Sequence, residues 1–89
     1  SVKNNKNNKK FTIDKLDNSL FKTKDTTANF ILLEFRHEKI ANKFVKFLYA
    51  KKITVRHLAS YHLPKHVRMT IGNLKEMKKT IKVCNSFNV

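Results

Sequence analysis

Residues 53–71 read I-T-V-R-H-L-A-S-Y-H-L-P-K-H-V-R-M-T-I, and the fold turns on two alternating stretches within them. In 53–58, Ile53 and Val55 alternate with Thr54 and Arg56, the period-two pattern of a strand with one buried face. In 66–71, Val67, Met69 and Ile71 fall on one face and His66, Arg68 and Thr70 on the other. Between them, 59–65 holds the only proline, Pro64, and reads as a loop; Gly72, the only glycine, ends the second stretch. Strands joined by so short a loop are expected to pair. Pairing would project Arg56 and Arg68 from one face of neighbouring strands, away from the core.

Working outward, residues 28–35 (A-N-F-I-L-L-E-F) form a continuous apolar run of strand length, expected to be a buried central strand. In 37–51, Ile40, Phe44 and Leu48 repeat at helical spacing with Ala41 and Val45 beside them, while Lys39, Lys43 and Lys46 lie off that face. After Gly72, Asn73 can cap a helix, with Glu76 completing a capping-box pair and Leu74, Met77, Ile81 and Cys84 forming its apolar stripe. The order strand, helix, strand, strand, helix predicts an α+β fold: a two-layer sandwich in which helices cover one face of a small sheet. Phe30, Phe35, Phe44 and Phe47 are core or helix candidates. Upstream, 11–27 reads as a connecting segment with a weak helical face of Ile13, Leu16 and Leu20. Residues 1–10 (S-V-K-N-N-K-N-N-K-K) are polar and self-repelling and are expected to be a disordered basic tail. Residues 28–89 are left as the main domain.

The chain has 89 residues, enough for one small domain. Its 20 Lys+Arg against 6 Asp+Glu give a formal charge of +14, which would favour polyanions. Yet all the cations except Arg36, Arg56 and Arg68 are Lys, and Asn is abundant. That pairing is the mark of an AT-rich coding sequence, which raises surface charge without functional intent. A basic nucleic-acid-binding module therefore stands as the alternative reading. One cysteine, Cys84, excludes an internal disulfide, suits a reducing compartment and reads as a core thiol. No run of about 18 apolar residues exists to span a membrane, and the N-terminus is unlike a signal peptide. The chain does not begin with Met and is expected to be a processed, trimmed or partial product. His37, His57, His62 and His66 lack a second cysteine or nearby carboxylate to complete a tetrahedral zinc set, so no metal site is expected.

The two arginines carry the chemistry. Like charges set together are unfavourable unless something negative lies between them. Arg at both positions of a Lys-rich chain points to planar, bidentate recognition of carboxylate or phosphate, against the bland reading of two solvated surface arginines. Tyr61, in the loop between them, could reach the same anion or simply be packed or solvated.

The ordered set A-N-F-I-L-L-E-F, I-T-V-R and V-R-M-T-I-G-N-L-K-E-M, about residues 20–85, resembles the C-terminal small domain of histidinol-phosphate aminotransferases, which are class I/II, fold-type-I enzymes. The family pattern runs roughly a-N-F, G-I-x-V-R, a loop ending near L-P, and L-R-I-T-x-G-T-x-E-x-N. The resemblance implies that Arg68 is the arginine that grips the substrate's carboxylate or phosphate, and that Arg56 helps to hold the phosphate. It implies pyridoxal phosphate in the complete enzyme, held by a missing large domain that supplies the Schiff-base lysine. It also implies a homodimer, a cytoplasmic setting and a place in histidine biosynthesis. No lysine here lies in the family's S-x-S-K context, so this chain is expected to bind no cofactor by itself, to contribute no catalytic residue and to be inactive alone. Two departures stand out. Lys52 replaces the glycine before I-T-V-R, which is expected to strain that turn, and Asn73 replaces a threonine.

Overall fold

The computed structural model describes residues 2–89 and, for side chains, residues 5–89. Its elements are helix α1 (Val2–Lys15), strands β1 (Phe21–Lys24) and β2 (Phe30–Phe35), helix α2 (Glu38–Ala50), strand β3 (Arg56–His57), a 3₁₀ turn (Ala59–Tyr61), strand β4 (His66–Thr70) and helix α3 (Leu74–Ser86). The four strands form one antiparallel sheet in the order β1-β2-β4-β3. This is the α+β sandwich expected from the pattern, with β2 central.

Alternation decides what each sheet face meets. Ile31, Leu33 and Phe35 of β2 and Val67 and Met69 of β4 are buried, whereas Phe30, Leu32, Glu34, His66 and Arg68 between them are half-covered. The buried set packs with Ala41, Phe44 and Leu48 of α2 and with Met77, Ile81 and Cys84 of α3. Phe21, Phe35, Phe44, Phe47 and Phe87 form one ring cluster, with successive centroids 4.9–5.6 Å apart at tilted or edge-on angles. Such contacts add to plain area burial.

The N-terminal stretch corrects the sequence reading. Residues expected to be a disordered tail lie in helix α1, although Ser1 is outside the described residues. No acidic residue lies in its first turn, so neither composition nor the helix dipole favours it. Docking holds it instead. Thr12 is fully buried and its Oγ1 donates to the Asn8 carbonyl at 2.7 Å. Asn8 donates to the Gly72 carbonyl, and Asn85 of α3 donates to the Lys15 carbonyl at 3.0 Å, satisfying the helix end. Lys9 donates to the carbonyls of Thr26 and Ala28, both at 2.6 Å, and pairs with Asp25 at 3.1 Å. The segment 11–27 likewise differs from the expected helical face: the helix stops at Lys15, Leu16 and Leu20 pack against the core from the turn, and β1 follows. A short polar segment shows none of these long-range partners in its own letters.

Two helix ends match their sequence signals. Asn73 caps α3: its side chain accepts from the Glu76 N–H at 2.8 Å, and the Glu76 carboxylate accepts from the Asn73 N–H at 3.0 Å. Helix α2 ends with the Lys52 N–H bonded to the Tyr49 carbonyl and the Ile53 N–H to the Leu48 carbonyl, both at 2.9 Å. This is the Schellman pattern, and Lys52 takes the left-handed conformation it requires, with φ 65°. The position where the resemblance expects glycine is thus one whose geometry favours glycine.

Candidate anion-binding site

The strand expected over 53–58 pairs only at Arg56 and His57, and that short ladder sets the site. Arg56 lies directly opposite Arg68, and His57 opposite Val67. Cross-strand partners share a face, with their Cβ atoms about 4.5–5.5 Å apart. Val67 is buried under the helices, so the neighbouring pair Arg56/Arg68 projects from the other, open face. Both arginines line a groove of about 430 Å³ together with Thr54, Val55, His57 and Thr70.

Each guanidinium is steadied differently. Arg56 donates from Nη1 to the Tyr61 hydroxyl at 3.0 Å, which brings the third candidate residue to the same edge. The 3₁₀ turn holds Tyr61 there, closed by His62 at φ 63° and by Leu63 N–H bonding to the Leu58 carbonyl at 3.1 Å. The Arg68 guanidinium carbon lies over the Phe30 ring, 5.2 Å from its centroid. Phe30 therefore corrects the sequence reading: it is half-covered on the open face, opposite Thr70, and outside the buried core. The signal for this was present, since Ile31, Leu33 and Phe35 alternate with it, but a run of apolar letters masks which face each takes. Asn29 bonds across to Ile71 through its backbone carbonyl and side chain, closing the end of β2 against β4.

Among the described residues neither Arg56 nor Arg68 forms an ion pair. Glu34 is the one carboxylate in the paired strands, and it is engaged elsewhere, 3.2 Å from Lys24 and 3.7 Å from His66 Nε2. The Lys24 ammonium holds the Glu34 carboxyl below its ordinary range. Two guanidinium groups and a hydroxyl, with no carboxylate ion-paired to either arginine among the described residues, make an arrangement able to take up an oxyanion.

A His57 ring nitrogen bonds the Pro64 carbonyl at 2.6 Å, which places the proton on Nε2. Among the described residues no cluster of three His, Cys, Asp or Glu could hold a metal. Cys84 is fully buried, and burial pushes its thiol up to about 12. No described helix is long and apolar enough to cross a membrane. A Schiff-base cofactor needs an enclosed lysine and an acid at the pyridinium nitrogen. Among the described side chains every lysine except Lys9 is exposed, and Lys9 is tied to Asp25 and two carbonyls. These residues do not fit a resident pyridoxal phosphate.

No protein-family profile matches the chain. It is 37% identical over 75 residues to a histidinol-phosphate aminotransferase of Lactococcus lactis, a match covering 83% of this chain and 20% of that protein. It is 39% identical over 84 residues to one from Clostridium kluyveri, covering 91% of this chain and 22% of the relative. A third, from Nitratidesulfovibrio vulgaris, is 39% identical over 57 residues, covering 64% of this chain and 15% of that protein. In fold, a crystal structure of a protein assigned as an aminotransferase from Burkholderia pseudomallei superposes with a TM-score of 0.79 at 21% identity, over 92% of this chain and 24% of that one. The chain is thus related by sequence to histidinol-phosphate aminotransferases and by fold to an aminotransferase, and it spans about a fifth of the length of these curated relatives.

Proposed function

We propose that this chain is the substrate-anion-binding small domain of a pyridoxal-phosphate-dependent aminotransferase acting on histidinol phosphate, with residues 28–89 as its body. The observation that carries this reading is the direct pairing of Arg56 with Arg68 on the face the helices leave open. In this reading Arg68 grips the substrate's phosphate or carboxylate, Arg56 shares the charge, and Tyr61 holds Arg56 in place and adds a hydroxyl at the rim. The chain's contribution is orientation: it fixes the negative end of the substrate so that the amino group is presented to cofactor chemistry housed elsewhere. Cofactor lysine, pyridinium acid and most of the active-site wall belong to a large domain, and the complete enzyme works in the cytoplasm, as a homodimer, in histidine synthesis. Nothing among the relatives favours a nucleic-acid-binding module.

The test is reconstitution. The chain is combined with the large domain of the Clostridium kluyveri relative, and transamination of histidinol phosphate is followed. Activity is expected only from the combination, with a fall of roughly 10²–10³-fold in kcat/KM for Arg68→Ala, the loss of a charged contact worth about 3–4 kcal/mol. Full activity of the Arg68→Ala combination would remove the assigned role.

A further inference from the structure

Phe30 emerges from the structure with a task that its apolar letter conceals. We propose that Phe30 is a positioning residue for Arg68: its ring holds the Arg68 guanidinium over the open face, beside Arg56, in a state ready to receive an oxyanion. The inference rests on the reading of Arg56 and Arg68 as an anion site.

Three observations carry it. First, Arg56 and Arg68 are cross-strand partners and neither is neutralised by a carboxylate among the described residues. Two flexible like-charged side chains in that register would swing apart. Second, each is restrained by a different group on its own side of the pair. Tyr61 accepts from Arg56 at 3.0 Å on the β3 side, and the Phe30 ring lies under the Arg68 guanidinium carbon at 5.2 Å on the β2 side. Third, Phe30 is placed for this by the sheet. It pairs with Thr70, two residues from Arg68 on the same face of β4, while Leu32 is the direct partner of Arg68. Phe30 and Leu32 therefore wall the β2 side of the Arg68 stem.

The chemistry of the restraint matters. A carboxylate steadying Arg68 would occupy its N–H donors and cancel its charge. An aromatic face attracts the cation through its quadrupole and uses no N–H. All five donors of the guanidinium fork stay free for a bidentate oxyanion. Preordering the side chain also lowers the rotamer entropy lost when the anion binds.

The experiment uses the whole 89-residue chain with inorganic phosphate as the probe, following the arginine Nε–H resonances by NMR. In the wild type the Arg68 Nε–H should be displaced by the ring current of Phe30, and it should move on phosphate addition. Phe30→Leu should abolish the ring-current displacement and weaken phosphate binding about two- to fivefold, as expected for a cation–π contact near the surface. Phe30→Tyr keeps a ring and should restore both. A wild-type Arg68 resonance free of ring-current displacement would overturn the proposal without need of any variant. Equal phosphate affinity in wild type and Phe30→Leu would overturn it while leaving the arginine pair as an anion site. Absence of phosphate binding in the wild type would overturn both.

Discussion

Replacing Lys52 by glycine should stabilise the chain, and the size of the gain follows from the end of α2. Lys52 sits at φ 65°, where its own N–H caps the Tyr49 carbonyl and the turn it makes lets the Ile53 N–H cap that of Leu48. A residue with a Cβ in that conformation costs about 1–2 kcal/mol, whereas glycine adopts it without strain. Glycine also loosens the unfolded chain, which returns about 0.5–1 kcal/mol of the gain. The net is a stabilisation of roughly 0.5–1 kcal/mol. For a domain of this size that corresponds to about 2–8 °C in Tm. Urea unfolding followed by circular dichroism would show it as a higher midpoint at unchanged slope. Lys52→Ala is the control, since alanine keeps the strain and should give no gain. The consequence reaches the site, because this cap turns the chain from α2 into the segment that carries Arg56. A Lys52→Gly midpoint equal to or below that of the wild type, or an equal gain from alanine, would show that the left-handed cap is not formed and would remove this account of how β3 is aimed.

Leu33→Ala, at a fully buried position of the central strand, should cost about 2–5 kcal/mol through lost burial and a residual cavity; a urea midpoint within error of the wild type would contradict the assigned core. Cys84 should react with a thiol reagent at pH 8 only as fast as the chain unfolds, because burial raises its thiol to about 12. The same shift means that stability is whole below the ordinary thiol value of 9.0 and declines as pH rises from there toward 12; rapid native-state labelling would oppose this. At the acid end, Lys9 lowers the Asp25 carboxyl and Lys24 lowers that of Glu34. Their stabilising effect is present above the ordinary values of 3.8 and 4.5 and is lost as pH falls through the lowered folded values. The unfolding midpoint should hold between about pH 5 and 7 and drop below about pH 4; a midpoint that climbs on acidification would refute these pairings.

Most of the site-bearing half of the molecule was legible in the letters because local pattern and tertiary burial agree there. Val67, Met69 and Ile71 alternate with His66, Arg68 and Thr70, and the structure buries the first set and leaves Arg68 on the second face. Asn73 and Glu76 announce a helix start and form one. The N-terminal half was less legible. Asn8 and Lys9 look like tail residues and Lys15 like linker, and only their partners at Gly72, at Asp25, Thr26 and Ala28, and at Asn85, each more than a dozen positions from the tail, make α1 a packed helix. Strand β3 is shorter than the alternating pattern of 53–58, since Ile53 and Val55 reach the core without ladder partners. The letters alone put Phe30 in the core because hydrophobicity says that a ring seeks cover and not which cover, and here part of that cover is a guanidinium.

The arginine pair is tested most directly by phosphate titration of four chains at matched ionic strength: wild type, Arg68→Gln, the double variant Arg56→Gln/Arg68→Gln, and the charge-matched double variant Lys78→Gln/Lys82→Gln on the exposed side of α3. Arg68→Gln should weaken binding about tenfold or more, as loss of a charge-assisted contact does. The arginine double variant should abolish saturable binding, and the lysine double variant should bind like the wild type. Equal weakening by the lysine and arginine double variants would mean that the net positive charge attracts phosphate without a site, and would contradict the claim that Arg56 and Arg68 together form one.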